Sequence, residues 1–370
     1  MMNKLTFRLQ VITPLFMSGA DQQGAELRPP SIRGALRFWF RAMMGGVVEG
    51  DLKRLRDLEA SIFGGVDSQG SMHASQVKIS LQGDFIPART KELGLDSDVK
   101  YLLYSPYLSG IQRPQYIPPG TSFQVILTSS NPKALDIMVS SLWLLTFLGG
   151  IGTRSRRGAG ALRFQDDQGT YSWRYRWGDE SDEVSLLQLS MASSARQLAN
   201  ELKSSLEIID KIFHHVFNQL SNDPPMLPSF DMISRSTYVL GVLSPKSNSW
   251  GTWQEALKAF GAFYKNWRRY KNREGGSHKR PLEERQYFGL PLANYDQSNR
   301  RASPLWIRPA QLTGDRYCLI VQWFYAQHLN KDHTPPLMIG EFLKDLEKME
   351  EWQVDWVSPY NQLIKEEAGV

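Results

Sequence analysis

Residues 149–160 read Gly-Gly-Ile-Gly-Thr-Arg-Ser-Arg-Arg-Gly-Ala-Gly, with five glycines and three arginines in twelve positions. They lie between an apolar helical segment and a strand that begins at Ala161. A chain that must pass from helix to strand through such a run needs backbone conformations that only glycine adopts freely. The helical segment opens at Asn131, a good N-cap, with Pro132 at its first position. It continues through Leu135, Met138, Val139, Leu142 and Leu145 to Leu148. Two enzymatic readings of the loop fail. A P-loop needs Gly-x-x-x-x-Gly-Lys-Ser/Thr, and no such string is present. A dinucleotide fingerprint starting at Gly150 puts Ser155 where its third glycine belongs, and it follows a strand, not a helix. Glycine amides interleaved with Arg154, Arg156 and Arg157 suit an anion held by backbone N–H groups.

Upstream, Thr6 to Thr13 alternates, with Phe7, Leu9 and Val11 on one face, as a half-buried strand does. Residues 31–43, Ser-Ile-Arg-Gly-Ala-Leu-Arg-Phe-Trp-Phe-Arg-Ala-Met, are helical in pattern. Ile32, Ala35, Leu36, Trp39, Phe40, Ala42 and Met43 fall on one side; Arg33, Arg37 and Arg41 fall on the other at i, i+4 and i+8. Ser31 is the expected N-cap after Pro29-Pro30, and Gly45-Gly46 the expected end. Gly34 leaves room beside the arginines, close to N-terminal amides that favour anions. No acidic residue lies between Leu27 and Val48 to neutralise Arg28, Arg33, Arg37 and Arg41, so an anionic partner is expected. A second helix spans Leu52 to Phe63, and strands are expected around Val77 to Leu81 and Phe123 to Thr128.

The first half thus orders as strand, helix, strand, strand, helix, glycine-rich loop, strand: a ferredoxin-like βαββαβ unit with insertions. Gly178 to Glu183 is the expected link. Beyond it, Ser185 to Asn222 reads as a long helix. Thr237 to Leu243 is a strand, Trp253 to Tyr270 a helix, and Tyr317 to Phe324 a strand. Phe342 to Trp352 reads as a last helix. Arg300-Arg301 form a basic loop entering a strand near Leu305, and Lys265 to Arg280 is a basic stretch. The same order recurs, so the fold class is α+β, with two tandem ferredoxin-like domains, 1–178 and 179–370, the second carrying a helical insertion. The repeat is inferred from element order alone.

A formal charge of +5 over 370 residues is mildly basic, so any nucleic-acid surface is local. The single cysteine, Cys318, excludes an internal disulfide framework and a cysteine-based zinc cluster; it reads as a buried strand thiol. His73, His214, His215, His278, His328 and His333 show no metal-ligand spacing. Asp21, in the loop before the arginine helix, is the one carboxylate placed to face a phosphodiester. No acid–base pair is identifiable. No apolar leader or membrane-length apolar run appears, and a cytoplasmic protein without cofactor, metal or small-molecule substrate is expected.

At the arginine helix and the loop from Gly149 to Gly160 the sequence resembles the RAMP proteins of CRISPR systems. Within them it is similar to the first-named subunit of type III-B Cmr effector complexes. Tyr287-Phe288-Gly289-Leu290-Pro291 and the run from Arg300 to Leu305 match that family too. The resemblance implies RRM-like domains and a non-catalytic, RNA-binding subunit of an RNA-guided antiviral assembly. Its partners would be CRISPR RNA near the 3′ end, target RNA and other Cmr subunits. The expected RNA contacts are Arg28, Arg33, Gly34, Arg37, Arg41, Gly149, Gly150, Gly152, Arg154, Arg156, Arg157, Gly158, Gly160, Arg300 and Arg301. Two other readings are a metal-independent CRISPR-RNA endoribonuclease using Asp21 or a histidine, and a purely structural cap.

Overall fold

The computed structural model describes residues 2–103, 114–165, 172–177, 184–218, 228–271, 277–279, 286–288, 302–326 and 335–360. Arg300 and Arg301 lie outside the described residues, as do the side chains of most of the Lys265 to Arg280 stretch. Strand β1 (Asn3–Val11) is followed by helices α1 (Pro29–Val47) and α2 (Leu52–Phe63) and strand β2 (Lys78–Gln82). A short helix, α3 (Ser97–Leu102), precedes strand β3 (Ser122–Ser129), helix α4 (Pro132–Phe147) and strand β4 (Leu162–Phe164). These four strands form one antiparallel sheet in the order β2-β3-β1-β4.

Next come β5 (Ser172–Arg176) and β6 (Val184–Gln188), paired antiparallel, and helix α5 (Ala195–Phe217). The expected link at 178–183 lies outside the described residues, and the helix expected from Ser185 begins ten residues later. Then follow β7 (Tyr238–Pro245), α6 (Trp253–Trp267), β8 (Leu305–Leu312), β9 (Arg316–Phe324), α7 (Pro335–Glu347) and β10 (Trp352–Trp356). Their sheet has the order β8-β9-β7-β10, again antiparallel throughout. With α2 and α3 set aside as additions to the first, both sheets share one connectivity, strand-helix-strand-strand-helix-strand, and one spatial order.

The layers follow from where apolar residues fall. On β1, Phe7, Leu9 and Val11 face inward while Lys4, Thr6 and Arg8 are exposed, so this sheet buries one face. Helix α4 is buried nearly all round, from Ala134 to Thr146, as an apolar helix between two layers must be. On β7, Tyr238, Leu240 and Val242 join the core around α1, α4 and α5. Val239 and Leu243 join the core with Phe260 of α6 and Phe342 of α7. The second sheet is therefore covered on both faces. Two side chains from it reach into the helix layer. Arg308 donates to the carbonyls of Thr146 and Leu162, and Gln322 donates to the carbonyl of Leu148 at 2.7 Å. Thr146 and Leu148 end α4, where carbonyls lack helical partners and a cation is favoured. Burial brings the Arg308 pKa down to about 9. Cys318 is fully buried on β9, and burial pushes its thiol up to about 12.

Candidate nucleic-acid interface

Helix α1 starts three residues earlier than its sequence suggests. Pro29 and Pro30 occupy its first positions, Arg28 is the N-cap without a side-chain cap, and Ser31 lies inside. Proline suits a first turn because that N–H would be unpaired anyway. The consequence corrects one expectation. The two prolines offer no N–H, and Ser31 and Ile32 both donate to the Arg28 carbonyl at 3.1 and 3.2 Å. The start of α1 therefore presents no free amides to an anion. The helix ends at Val47, near Gly45-Gly46 as expected, with both glycines inside its last turn. A Cβ at Gly45 would come within 2.6 Å of Phe230, and one at Gly46 within 2.2 Å of the Ile233 carbonyl. They let residues 230–233 lie against the helix, where Ile233 donates to the Ala42 carbonyl at 2.8 Å.

The arginine row is on one face as expected, but it is not without a counterion. Glu59 of α2, 7% exposed, accepts from Arg37 Nε at 2.5 Å and Arg41 Nη1 at 2.8 Å on the same oxygen. The acid arrives from the next helix, beyond the window in which local pairs are visible. One carboxylate against two guanidinia leaves a positive remainder, and both arginine side chains keep a third or more of their surface in solvent. Arg33 is half-buried, with no ion pair among the described residues. Gly34 is exposed, and a Cβ there would meet nothing within 4 Å. Arg28 donates to the Ser18 carbonyl at 3.4 Å and lies 3.8 Å from Glu26. Asp21 accepts the Gln23 N–H at 3.1 Å and so closes a loop turn.

The glycine-rich loop faces inward. Gly149 lies against Trp39 of α1, where a Cβ would fall 2.4 Å from the indole nitrogen. Gly160, at φ +62°, lies so close to the Ile151 carbonyl that a Cβ would be 1.9 Å from it; Gly152, at φ +83°, packs on the Phe16 carbonyl in the same way. Gly150 and Gly158 are likewise hemmed in by the loop's own backbone and by Leu257. The amides of Ile151, Thr153, Arg157, Ala159 and Gly160 all donate to protein carbonyls. These glycines serve close packing and turning, not a phosphate cradle.

Arg157 is corrected too. It is 8% exposed, and its guanidinium donates to Leu305 O and Ser303 Oγ at 2.8 Å, and to Tyr264 Oη and Phe288 O at 3.2 Å. Burial lowers its pKa. It joins the loop to the second sheet and has no face left for RNA. Arg156 is intermediate. It donates to Asp231 Oδ2 at 2.8 Å and Ser303 O at 2.6 Å, with its guanidinium 4.5 Å over Trp306 and 5.3 Å over Phe38. Arg154, half-buried, stands in the left-handed region at φ +65°.

Helix and loop nevertheless meet. Trp39 packs on Gly149, Phe38 lies under Arg156, and a cleft beside them is lined by Phe38, Arg41, Phe230 and Asp231. Phe230 and Asp231 went unnoticed in the sequence because they belong to neither motif. Among the described residues no three His, Cys, Asp or Glu side chains gather as a metal group, and no helix is long and apolar enough to cross a membrane.

Comparison with known proteins decides the family. The RAMP superfamily model matches residues 8–163. The Pyrococcus furiosus CRISPR system Cmr subunit Cmr1-1 is 32% identical over 309 residues, covering 81% of each chain. The chain belongs to the Cmr1 family of RAMP proteins. A second P. furiosus relative, Cmr subunit Cmr1-2, is 29% identical over 184 residues, which are 44% of this chain and 96% of that one. The apo crystal structure of P. furiosus Cmr1 superposes with a TM-score of 0.59 at 24% identity, covering 99% of this chain and 97% of the other. A chain of the type III-B Cmr-beta assembly bound to cognate target RNA shares the fold as well, with a TM-score of 0.54 at 12% identity, covering 98% and 99%. The arginine helix and the whole glycine-rich loop thus fall within the RAMP match.

Proposed function

We propose that this Cmr1-family chain is a subunit of a type III-B CRISPR effector complex and holds RNA there without cutting it. The two strand-helix repeats are then tandem ferredoxin-like RAMP units, 1–178 and 179–370. The polyanion lies along Arg33, Arg37 and Arg41, flanked by Arg28 and Arg154, and passes the open position at Gly34. Arg300 and Arg301, outside the described residues, are assigned to RNA contact from the sequence alone. The bound strands are the 3′ region of the CRISPR RNA and the captured target, and the other partners are Cmr subunits in the cytoplasm. One observation carries this reading: of three arginines on one helix face, two share a single carboxylate, Glu59, and both of these keep a third or more of their side chain in solvent. That surplus suits phosphates, which position a strand without reading its sequence. The solved Cmr-beta assembly with target RNA supports the partner class.

A salt titration of RNA binding tests the proposal. Arg33→Ala with Arg37→Ala is expected to weaken binding and to flatten the slope of log K against log salt by about 1.4, two single-strand phosphates. Unchanged affinity and slope would overturn the assignment of α1.

A further inference from the structure

We infer that the cleft beside α1 takes one unstacked nucleobase and that its chemistry selects guanine. This rests on the RNA reading above and deepens it. The cleft holds about 260 Å³ and is lined by Phe38 and Arg41 of α1, by Ser229, Phe230 and Asp231, and by Ala302 and Ala326. That is just below the range of pockets for drug-sized ligands, and it gives room for one base. Two aromatic rings form its apolar sides. Phe38 is held in place by Trp306, at 5.2 Å between centroids and 28° between planes.

The polar groups are fixed as firmly. Arg156 stands behind the cleft wall, over Trp306, and binds one oxygen of Asp231. The other oxygen, Oδ1, has no partner among the described residues, and Oδ2 keeps a second lone pair for a further donor. Arg41 gives one N–H to Glu59 and keeps donors for the cleft. The site therefore sets a carboxylate acceptor and a guanidinium donor among aromatic walls. Cytosine and adenine bring one amine to a carboxylate, and uracil one imide N–H. Guanine alone brings two donors on one edge, N1–H and the N2 amine, and adds the O6 and N7 acceptors that suit arginine. Its unstacking is offset by contact with Phe38 and Phe230.

The test is fluorescence anisotropy of the full chain with uridine decamers carrying one G, A, C or U at a central position. Two further decamers carry inosine, which lacks the N2 amine, and 7-deazaguanine, which lacks N7. The G decamer is expected to bind about tenfold tighter than the U decamer, as a good bidentate base contact provides. Inosine and 7-deazaguanine are each expected to lose part of that gain, and Asp231→Asn to abolish it. The salt slope, set by phosphates, is expected to be equal for G and U. Equal affinity for G and U, or a preference intact in Asp231→Asn, would overturn the inference while leaving the arginine row standing. Failure of every decamer to bind would overturn the RNA reading and this inference together. The modified bases leave the protein untouched, so a destabilised Asp231→Asn does not decide the outcome.

Discussion

The guanidinium of Arg157 donates to the carbonyl of Leu305 at 2.8 Å, tying together residues 148 apart in the chain. Further bonds from the same guanidinium run to Ser303, Tyr264 and Phe288. Arg157→Ala leaves buried carbonyls unpaired, and a loss of about 3 kcal/mol or more is expected. Arg157→Lys recovers little, since an ammonium cannot span the same acceptors. Urea unfolding measures the loss. The salt slope of RNA binding is expected to stay at the wild-type value.

Glu59 holds back two of the three arginines in the row. Glu59→Gln removes its charge while keeping its shape. Tighter RNA binding and a steeper salt dependence are expected, with about 1 kcal/mol of stability lost from the α1–α2 contact. Anisotropy titrations at several salt concentrations check this; weaker binding would show that Glu59 orders the row for its ligand.

Two glycines separate packing from access. Gly160→Ala places a methyl group against the Ile151 carbonyl at a positive φ, and severe destabilisation, several kcal/mol, is expected. Gly34→Ala meets open space within a helix, and a gain of about 1 kcal/mol is expected. If RNA backbone passes over Gly34, that stabler variant binds RNA more weakly than wild type. Thermal melts paired with binding curves read both effects.

Asp136 of α4 carries a pH signature. Burial pushes its carboxyl from the usual 3.8 up to about 6. The folded state then holds this proton more tightly than the unfolded chain does. The stability it contributes is complete below about pH 4 and fades as pH rises through 6. Asp136→Asn is expected to flatten the stability profile between pH 4 and 7 and to gain on the order of 2 kcal/mol at pH 7. Denaturation midpoints across that range measure it.

Local chemistry was legible in the sequence where a short segment decides its own fate. Asn131 caps α4 through the amides of Lys133 and Ala134, with Pro132 behind it, as read. The alternation of β1 and the apolar face of α1 were legible for the same reason. What failed depended on distant chain. Glu59 lies outside any local window around the arginines, and Arg157 finds its acceptors well over a hundred residues away. Glycines that pack on carbonyls and glycines that cradle phosphates look alike in one dimension; Ile151 and Ala159, apolar within the loop, were the only hint that it turns inward. Charge and length misled at the edges. Ser185 begins a strand pair, not a helix, because Trp173 and Tyr175 offer it a partner strand. The last strand, β10, was missed because Trp352 reads equally well as a helix end.

The spacing of Arg33, Arg37 and Arg41 has a consequence of its own. Four residues of helix advance about 6 Å, so the row is a ladder of like rungs. A polyanion that slides by one rung finds the same ladder and loses only an end. Such a surface grips without fixing an address. Where a strand stops along it must be set by a contact that does not repeat, and Asp231 stands beside the last rung.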